Sequence, residues 1–422
     1  MNTKKNIRIY FFSYCTLIFV KFLFITIIRD CFINPQNKFL LEIWNLSDWL
    51  VNYNNGFVRR GLWGEFFLYL YNSYNLDIIQ GIYLITIIST IALILFTIYF
   101  FRKKGLSVFL LPCALLLGSF TMHNITSFRR DALMLLLIFL TLYLYRKWIE
   151  NDRKRWIYYI LLSLTGIFVI LTHEASFFCF VPFIVFDYFN RNKNRTLVQR
   201  GASTAIFILP ILLTMGCACI FKGNEEVANN IWNSYAPYFQ EKFGEMLPIG
   251  DGVEALGWST RYAVNHHIEK NFLTLLPGNI PSIFAWCIVF FLALYLMVNV
   301  NKIRLFEYER EDIDKEHLAT ILFIQLAGML PLFTMLSCDY GRLFIYWSLS
   351  SFFIFTHLRK EVYPLFSTMG KRINKIYGKN LFSTTWFYVM ASITIVLPFW
   401  GFNDPLRTSV IGNIIYLIDS II

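Results

Sequence analysis

From Ile78 to Phe101 the chain carries no charged side chain. Apolar runs of similar length recur along most of its 422 residues. In hydrocarbon every backbone N–H and C=O must find a partner within the structure, so a spanning segment is a helix or part of a closed barrel. About twenty residues rising 1.5 Å each cross roughly 30 Å of hydrocarbon as a helix. A barrel strand would instead alternate over about ten residues. The runs therefore predict an all-α fold: a polytopic transmembrane helix bundle forming a single integral-membrane domain, 1–422.

About eleven spans are expected, near 9–28, 78–101, 106–121, 132–145, 156–172, 175–188, 202–221, 282–300, 318–337, 343–357 and 384–400, with a weaker apolar tail at 409–422. The basic start (Lys4, Lys5, Arg8) leads into a span without a small-residue cleavage site and reads as a retained first helix. Lys21, inside that span, is expected to snorkel. The sixth span is short and holds Pro182, as a re-entrant segment would. Most of the eight cysteines lie in apolar runs without zinc-ligand spacing, and read as small buried hydrophobes.

Only 15% of residues are charged, yet the formal net charge is +11. With a cytoplasmic N-terminus, the inner loops hold roughly twice the Lys and Arg of the outer ones, which is the positive-inside pattern. That accounts for the basic balance without a nucleic-acid partner. The orientation puts two polar segments outside, a first loop at 29–77 and a long loop at 222–277. Residues 62–74 are expected to form an interfacial helix. Trp232, Tyr235, Tyr238, Trp258 and Tyr262 are too many aromatics for a disordered linker, so the long loop is expected to be ordered, its aromatics free to stack on sugar rings.

Every unusual polar cluster falls at an outer helix end. Asp48, Asn52, Tyr53, Arg59 and Arg60 share the first loop with Gly56, Gly61 and Gly64. Asp48 suits a general base or a metal ligand, and the glycines would let backbone approach a ligand. Arg129, Arg130 and Asp131 open the fourth span; the helix dipole explains the acid there but not the two arginines. His173 and Glu174 tip the fifth and sixth spans, where the imidazole suits acid–base work or a hydrogen bond to a sugar hydroxyl. Asp339, Tyr340 and Arg342 open the tenth span. Arginine grips phosphate oxygens in bidentate fashion, which marks Arg59, Arg60, Arg129, Arg130 and Arg342 as a phosphate-binding set. No Walker A, dinucleotide fingerprint, nucleophile elbow or His-Glu-x-x-His string is present.

A cytoplasmic N-terminus, an acidic first outer loop, many spans and a long late outer loop resemble the GT-C glycosyltransferase superfamily. They are also similar to the Wzy-type O-antigen and capsule polymerases of bacterial envelopes. The strings Gly-Phe-Val-Arg-Arg-Gly (56–61) and Asp-Tyr-Gly-Arg (339–342) look like those of bacterial polysaccharide-locus proteins. The resemblance implies an enzyme of the bacterial inner membrane that works at the periplasmic face. It would transfer sugar, with inversion, from a polyprenyl phosphate or pyrophosphate donor to a glycan acceptor within the lipid bilayer. Asp48 matches the acid–base carboxylate of the first outer loop, with Glu174 and His173 as further candidates. Asn52, Tyr53, Asp131, Asp339 and Tyr340 would line the substrate. The chain lacks the second acidic pair of many GT-C members, so no cofactor is required and a divalent metal is not supported. The alternatives are a transporter or flippase of an anionic glycolipid and a sugar O-acyltransferase. Sugar, linkage and oligomeric state are not encoded legibly.

Overall fold

The computed structural model describes residues 35–104, 128–273, 315–337 and 339–357, with Ile33, Arg372 and the pairs 275–276 and 280–281. The spans expected near 9–28, 106–121, 282–300 and 384–400, Lys21 and the tail lie outside these residues.

Helices α1 (Pro35–Leu41) and α2 (Ile43–Ser47) lead through a 3-10 turn (Asp48–Leu50) to α3 (Gly61–Tyr74) and α4 (Ile78–Lys104). Then come α5 (Asp131–Glu150), α6 (Arg155–Thr172), a 3-10 turn (Glu174–Ser176) and α7 (Phe177–Arg191). Helices α8 (Leu197–Phe207) and α9 (Leu209–Ile220) precede four short ones, α10 (Glu225–Asn233), α11 (Ala236–Phe243), α12 (Asp251–Glu254) and α13 (Thr260–Ile268). A two-residue antiparallel pairing joins Leu275–Leu276 to Ile280–Pro281. Helix α14 (Lys315–Pro331) runs on as a π-helical turn (Leu332–Leu336) before α15 (Tyr340–His357).

Three described helical segments are long and apolar enough to cross a membrane: α4, α5 and Asp152–Thr172. The α8–α9 pair makes a fourth if counted as one span. Leu84, Ile88 and Leu95 of α4 are each more than half exposed, a wasteful surface in water and an ordinary one in lipid. Helix α5 runs past its apolar stretch, and there Arg146 and Glu150 pair one turn apart, at 2.6 Å, which supports the helix end. The single span expected at 202–221 is instead bent by 66° between α8 and α9. Pro210 has no N–H for the carbonyl of Ile206, and its ring crowds that carbonyl, so a straight helix cannot continue.

The chain divides into two compact units. Among the described residues the first holds 35–93 and 128–262, the second 94–104 and those from 263 onward.

The first unit has a hydrophobic core to which the two polar segments both contribute. Trp49, Phe67, Tyr235, Phe239, Val253 and Leu256 are buried together. The loop 222–262 is ordered, as expected, but Trp232, Tyr235 and Tyr238 are 0–3% exposed. They are core residues, not sugar platforms; Tyr262 alone of these rings is more than half exposed. Their polar atoms lace the two segments together. Tyr235 donates to the Gly64 carbonyl at 3.1 Å, Tyr238 to Asp77 at 2.9 Å, and the Gly252 N–H to Ser47 at 2.9 Å. Gly64 is required by this packing: a Cβ there would lie 2.0 Å from the Val51 carbonyl oxygen. One at Gly61 would enter the Tyr53 ring. These two glycines admit neighbouring protein, not a ligand.

In the second unit α14 and α15 pack through small and polar residues. Gln325 donates to Ser350 at 2.8 Å and Trp347 to the Leu322 carbonyl at 2.7 Å. Ser348, Ser350 and Ser351 are fully buried, which lets the backbones approach.

Candidate functional site

Three irregular backbone segments of the first unit deliver one charged cluster. The 3-10 turn after α2 presents Asp48. The residue before α3, Arg60, is left-handed at φ 66°, ψ 4°. Phe128 (φ 49°) precedes Arg129 and Arg130 in the same way. Such conformations cost a non-glycine residue about 1–2 kcal/mol and concentrate at functional positions. His173 ends α6 in an extended conformation and turns the chain into Glu174.

The side chains alternate in sign along a row: Arg130, Asp48, Arg60, Glu174, Arg59. Arg130 donates through Nε to Asp48 Oδ2 at 3.1 Å, and its Nη2 pairs with the same oxygen. Arg60 donates from Nη1 to Asp48 Oδ1 at 3.2 Å. Its Nε and Nη2 grip Glu174 in bidentate fashion, at 2.7 and 2.5 Å. Arg59 closes the row with Nη1 3.2 Å from Glu174 Oε1. Three cations against two anions leave a net positive charge.

The row has a sealed end and an open end. The Arg130 side chain is 1% exposed, donates to the Arg60 carbonyl at 3.2 Å, and lies over the Trp49 ring. Trp49 itself is anchored to the Phe128 carbonyl at 2.6 Å. Asp48, Arg60 and Arg59 are 20–25% exposed. The buried Nε of Arg59 has no hydrogen-bond partner, nor has the buried hydroxyl of Ser176, two residues beyond Glu174.

Burial by itself would raise the Asp48 pKa, but Arg130 and Arg60 overcome it and hold the carboxyl far below the usual range. Glu174 is likewise held well down, with burial outweighed by Arg60 and Arg59. Arg60, between two carboxylates, is pushed up despite burial. Arg59 moves the other way: burial lowers it more than Glu174 raises it. It is less compensated than Arg60. Burial also pushes the Tyr53 phenol up to about 12, with Glu65 adding to the shift.

His173 Nδ1 accepts from the Ala175 N–H at 3.2 Å, so in the neutral ring the proton sits on Nε2. Nδ1 also lies 3.8 Å from Glu174 Oε2.

Other expected site residues serve elsewhere. Arg129 donates to Asn45 at 2.5 Å, and Asn45 to Glu42 at 2.8 Å, so it braces α2 while its neighbour Arg130 enters the row. Asn52 is fully buried; it donates to Ser234 at 2.8 Å and accepts from the Asn54 N–H, stapling the two polar segments. The Tyr53 N–H is capped by Glu65 at 2.9 Å. Asp131 is buried in the first turn of α5. Arg342 and Asp339 belong to the second unit, where they pair at 2.8 Å and Arg342 also donates to Tyr346 at 3.3 Å; Tyr340 begins α15 there.

Ser176 was not legible as a site residue, its sequence signal being only its proximity to Glu174. Of the three described cysteines, Cys179 is buried as expected, whereas Cys217 and Cys219 are exposed on α9. Among the described residues no group of three or more His, Cys, Asp or Glu side chains is placed to hold a metal ion. Comparison with protein-family models, with curated proteins and with solved structures finds no match to this chain.

Proposed function

We propose that this chain is a membrane glycosyltransferase or polysaccharide polymerase, a bundle of about eleven spans in a bacterial inner membrane. It acts at the outer face on sugars carried by a polyprenyl phosphate or pyrophosphate. The observation that supports this reading best is the row Arg130–Asp48–Arg60–Glu174–Arg59, gathered from three distant segments beside the ends of apolar helices.

The chemistry needs a base for the acceptor hydroxyl and a cation for the leaving group. Asp48 takes the hydroxyl proton; the acceptor oxygen attacks the anomeric carbon; the bond to the phosphate oxygen breaks with inversion. The (pyro)phosphate leaves with its negative charge held by Arg59 and Arg60, which is the electrostatic share of catalysis. In the free protein Asp48 is a poor base, because two guanidiniums stabilise its anion. Phosphate oxygens that draw on Arg60 weaken that stabilisation and raise the basicity of Asp48 when substrate is present. His173 Nε2–H donates to a sugar hydroxyl.

Separate Asp48→Ala and Arg60→Ala variants test the reading. Both are expected to abolish glycan product at normal protein level, and unchanged glycan yield and length in both would refute it. A detergent assay with a lipid-linked sugar donor separates the reading from a flippase, which has no bond to make.

A further inference from the structure

We infer that the Glu174 carboxylate is an internal stand-in for the ligand's phosphate, occupying the Arg59–Arg60 grip in the free protein and being displaced when a pyrophosphate group binds. The inference rests on the proposed phosphate role of these arginines and gives Glu174 a positioning task, not the proton transfer considered for it from sequence.

The two carboxylates of the row are held differently. Asp48 is fixed by Arg130, which is sealed from solvent, and Arg130 is tied back to the Arg60 carbonyl. Glu174 has no such anchor. Its three donors, Nε and Nη2 of Arg60 and Nη1 of Arg59, belong to the two more open arginines. A planar two-oxygen anion clasped by a guanidinium fork and a second arginine has the donor arrangement that a phosphate takes.

Departure of Glu174 leaves Arg60 its pair with Asp48 and takes from Arg59 an ion-pair partner that the arriving phosphate replaces. Glu174 also sits on a three-residue turn between α6 and α7, not inside a long helix. Arg59 Nε, already without a partner, offers the arriving group a donor that Glu174 does not use. Carrying its own anion keeps the arginines paired between turnovers and demands a ligand with more than one negative charge to win the exchange.

The test is calorimetric titration of the full-length protein in detergent with inorganic pyrophosphate. Glu174→Gln keeps the shape and removes the competing charge. It is expected to bind pyrophosphate about tenfold tighter, within the range that coupled ligand sites reach. Asp48→Asn removes a charge from the same row but not a competitor, and is expected to change affinity far less. Glu174→Asp, one methylene shorter, keeps the charge with a weaker clasp, and should tighten binding part-way even if the glutamine variant does not fold. The same ratios are expected with a short-chain prenyl pyrophosphate if the group is lipid-borne. Unchanged or weaker binding in both Glu174 variants, or equal tightening in Asp48→Asn, overturns the inference. Absence of pyrophosphate binding in wild type and all variants overturns the phosphate reading beneath it.

Discussion

Replacing Arg130 by alanine breaks the sealed end of the row, and the structure sets the size of the effect. The substitution removes both guanidinium contacts to Asp48, the bond to the Arg60 carbonyl, and the cation over Trp49. Charge-assisted hydrogen bonds contribute about 1.5–3 kcal/mol each, and loss of one partner of a buried ion pair costs about 3–5 kcal/mol in all. Asp48 retains Arg60, which places the loss near the lower end, about 3 kcal/mol. For a unit of this size that corresponds to a fall of roughly 6–12 °C in the unfolding midpoint. Arg130→Lys keeps the charge but not the fork and should fall between. Thermal unfolding in detergent gives the shifts, and Arg130→Ala combined with Asp48→Ala closes a double-mutant cycle. A midpoint change under about 2 °C with no coupling between the two sites would show the row to be a loose surface network, worth less than about 1 kcal/mol per pair.

Three further outcomes are expected. The depressed carboxyls of Asp48 and Glu174 contribute stability that is complete above the ordinary carboxylate range, near pH 4, and declines as pH falls below it toward their lower folded values. An unfolding midpoint measured from pH 8 to 3 should therefore be insensitive to these groups until about pH 5, and Glu174→Gln should flatten the acid limb. Arg60→Gly and Arg60→Ala lose the same ion pairs, but glycine relieves the left-handed backbone; the glycine variant should be about 1 kcal/mol more stable, and an equal or lower midpoint would contradict that. Trp232→Ala should cost about 3–5 kcal/mol as a core deletion, whereas Tyr262→Ala, at an exposed ring, should change stability by less than about 0.5 kcal/mol. The reverse order, read by protease resistance, would return Trp232 to the surface.

Helix formation at 78–101, 132–145 and 156–172 was legible because an uninterrupted apolar run leaves the backbone one way to satisfy itself in lipid. The structure lengthens these to Ile78–Lys104, Asp131–Glu150 and Arg155–Thr172, since polar ends add turns that hydropathy does not count. The order of the 222–262 segment was legible from its aromatics, but their task was not. A tryptophan that stacks on a sugar and one that fills a core have the same composition, and only the partner surface at residues 35–83 decides between them. Asn52 misled for the same reason: polarity marks a residue that needs hydrogen bonds, not whether protein or ligand supplies them.

The sequence by itself determined that this is a helical chain with apolar helices of membrane length, and that its arginines and lone acids cluster where such helices end. Those are local properties, set by side-chain chemistry within about twenty residues. Only the tertiary structure decided that Asp48, Arg60, Arg130 and Glu174 form one alternating row, while Arg129, next in sequence to Arg130, braces α2 instead. Contacts between positions about a hundred residues apart leave no periodicity to read. They arise when backbone turns at Phe128, Arg60 and His173 aim charges at one another, and opposite charges removed from water settle only where each finds its partner.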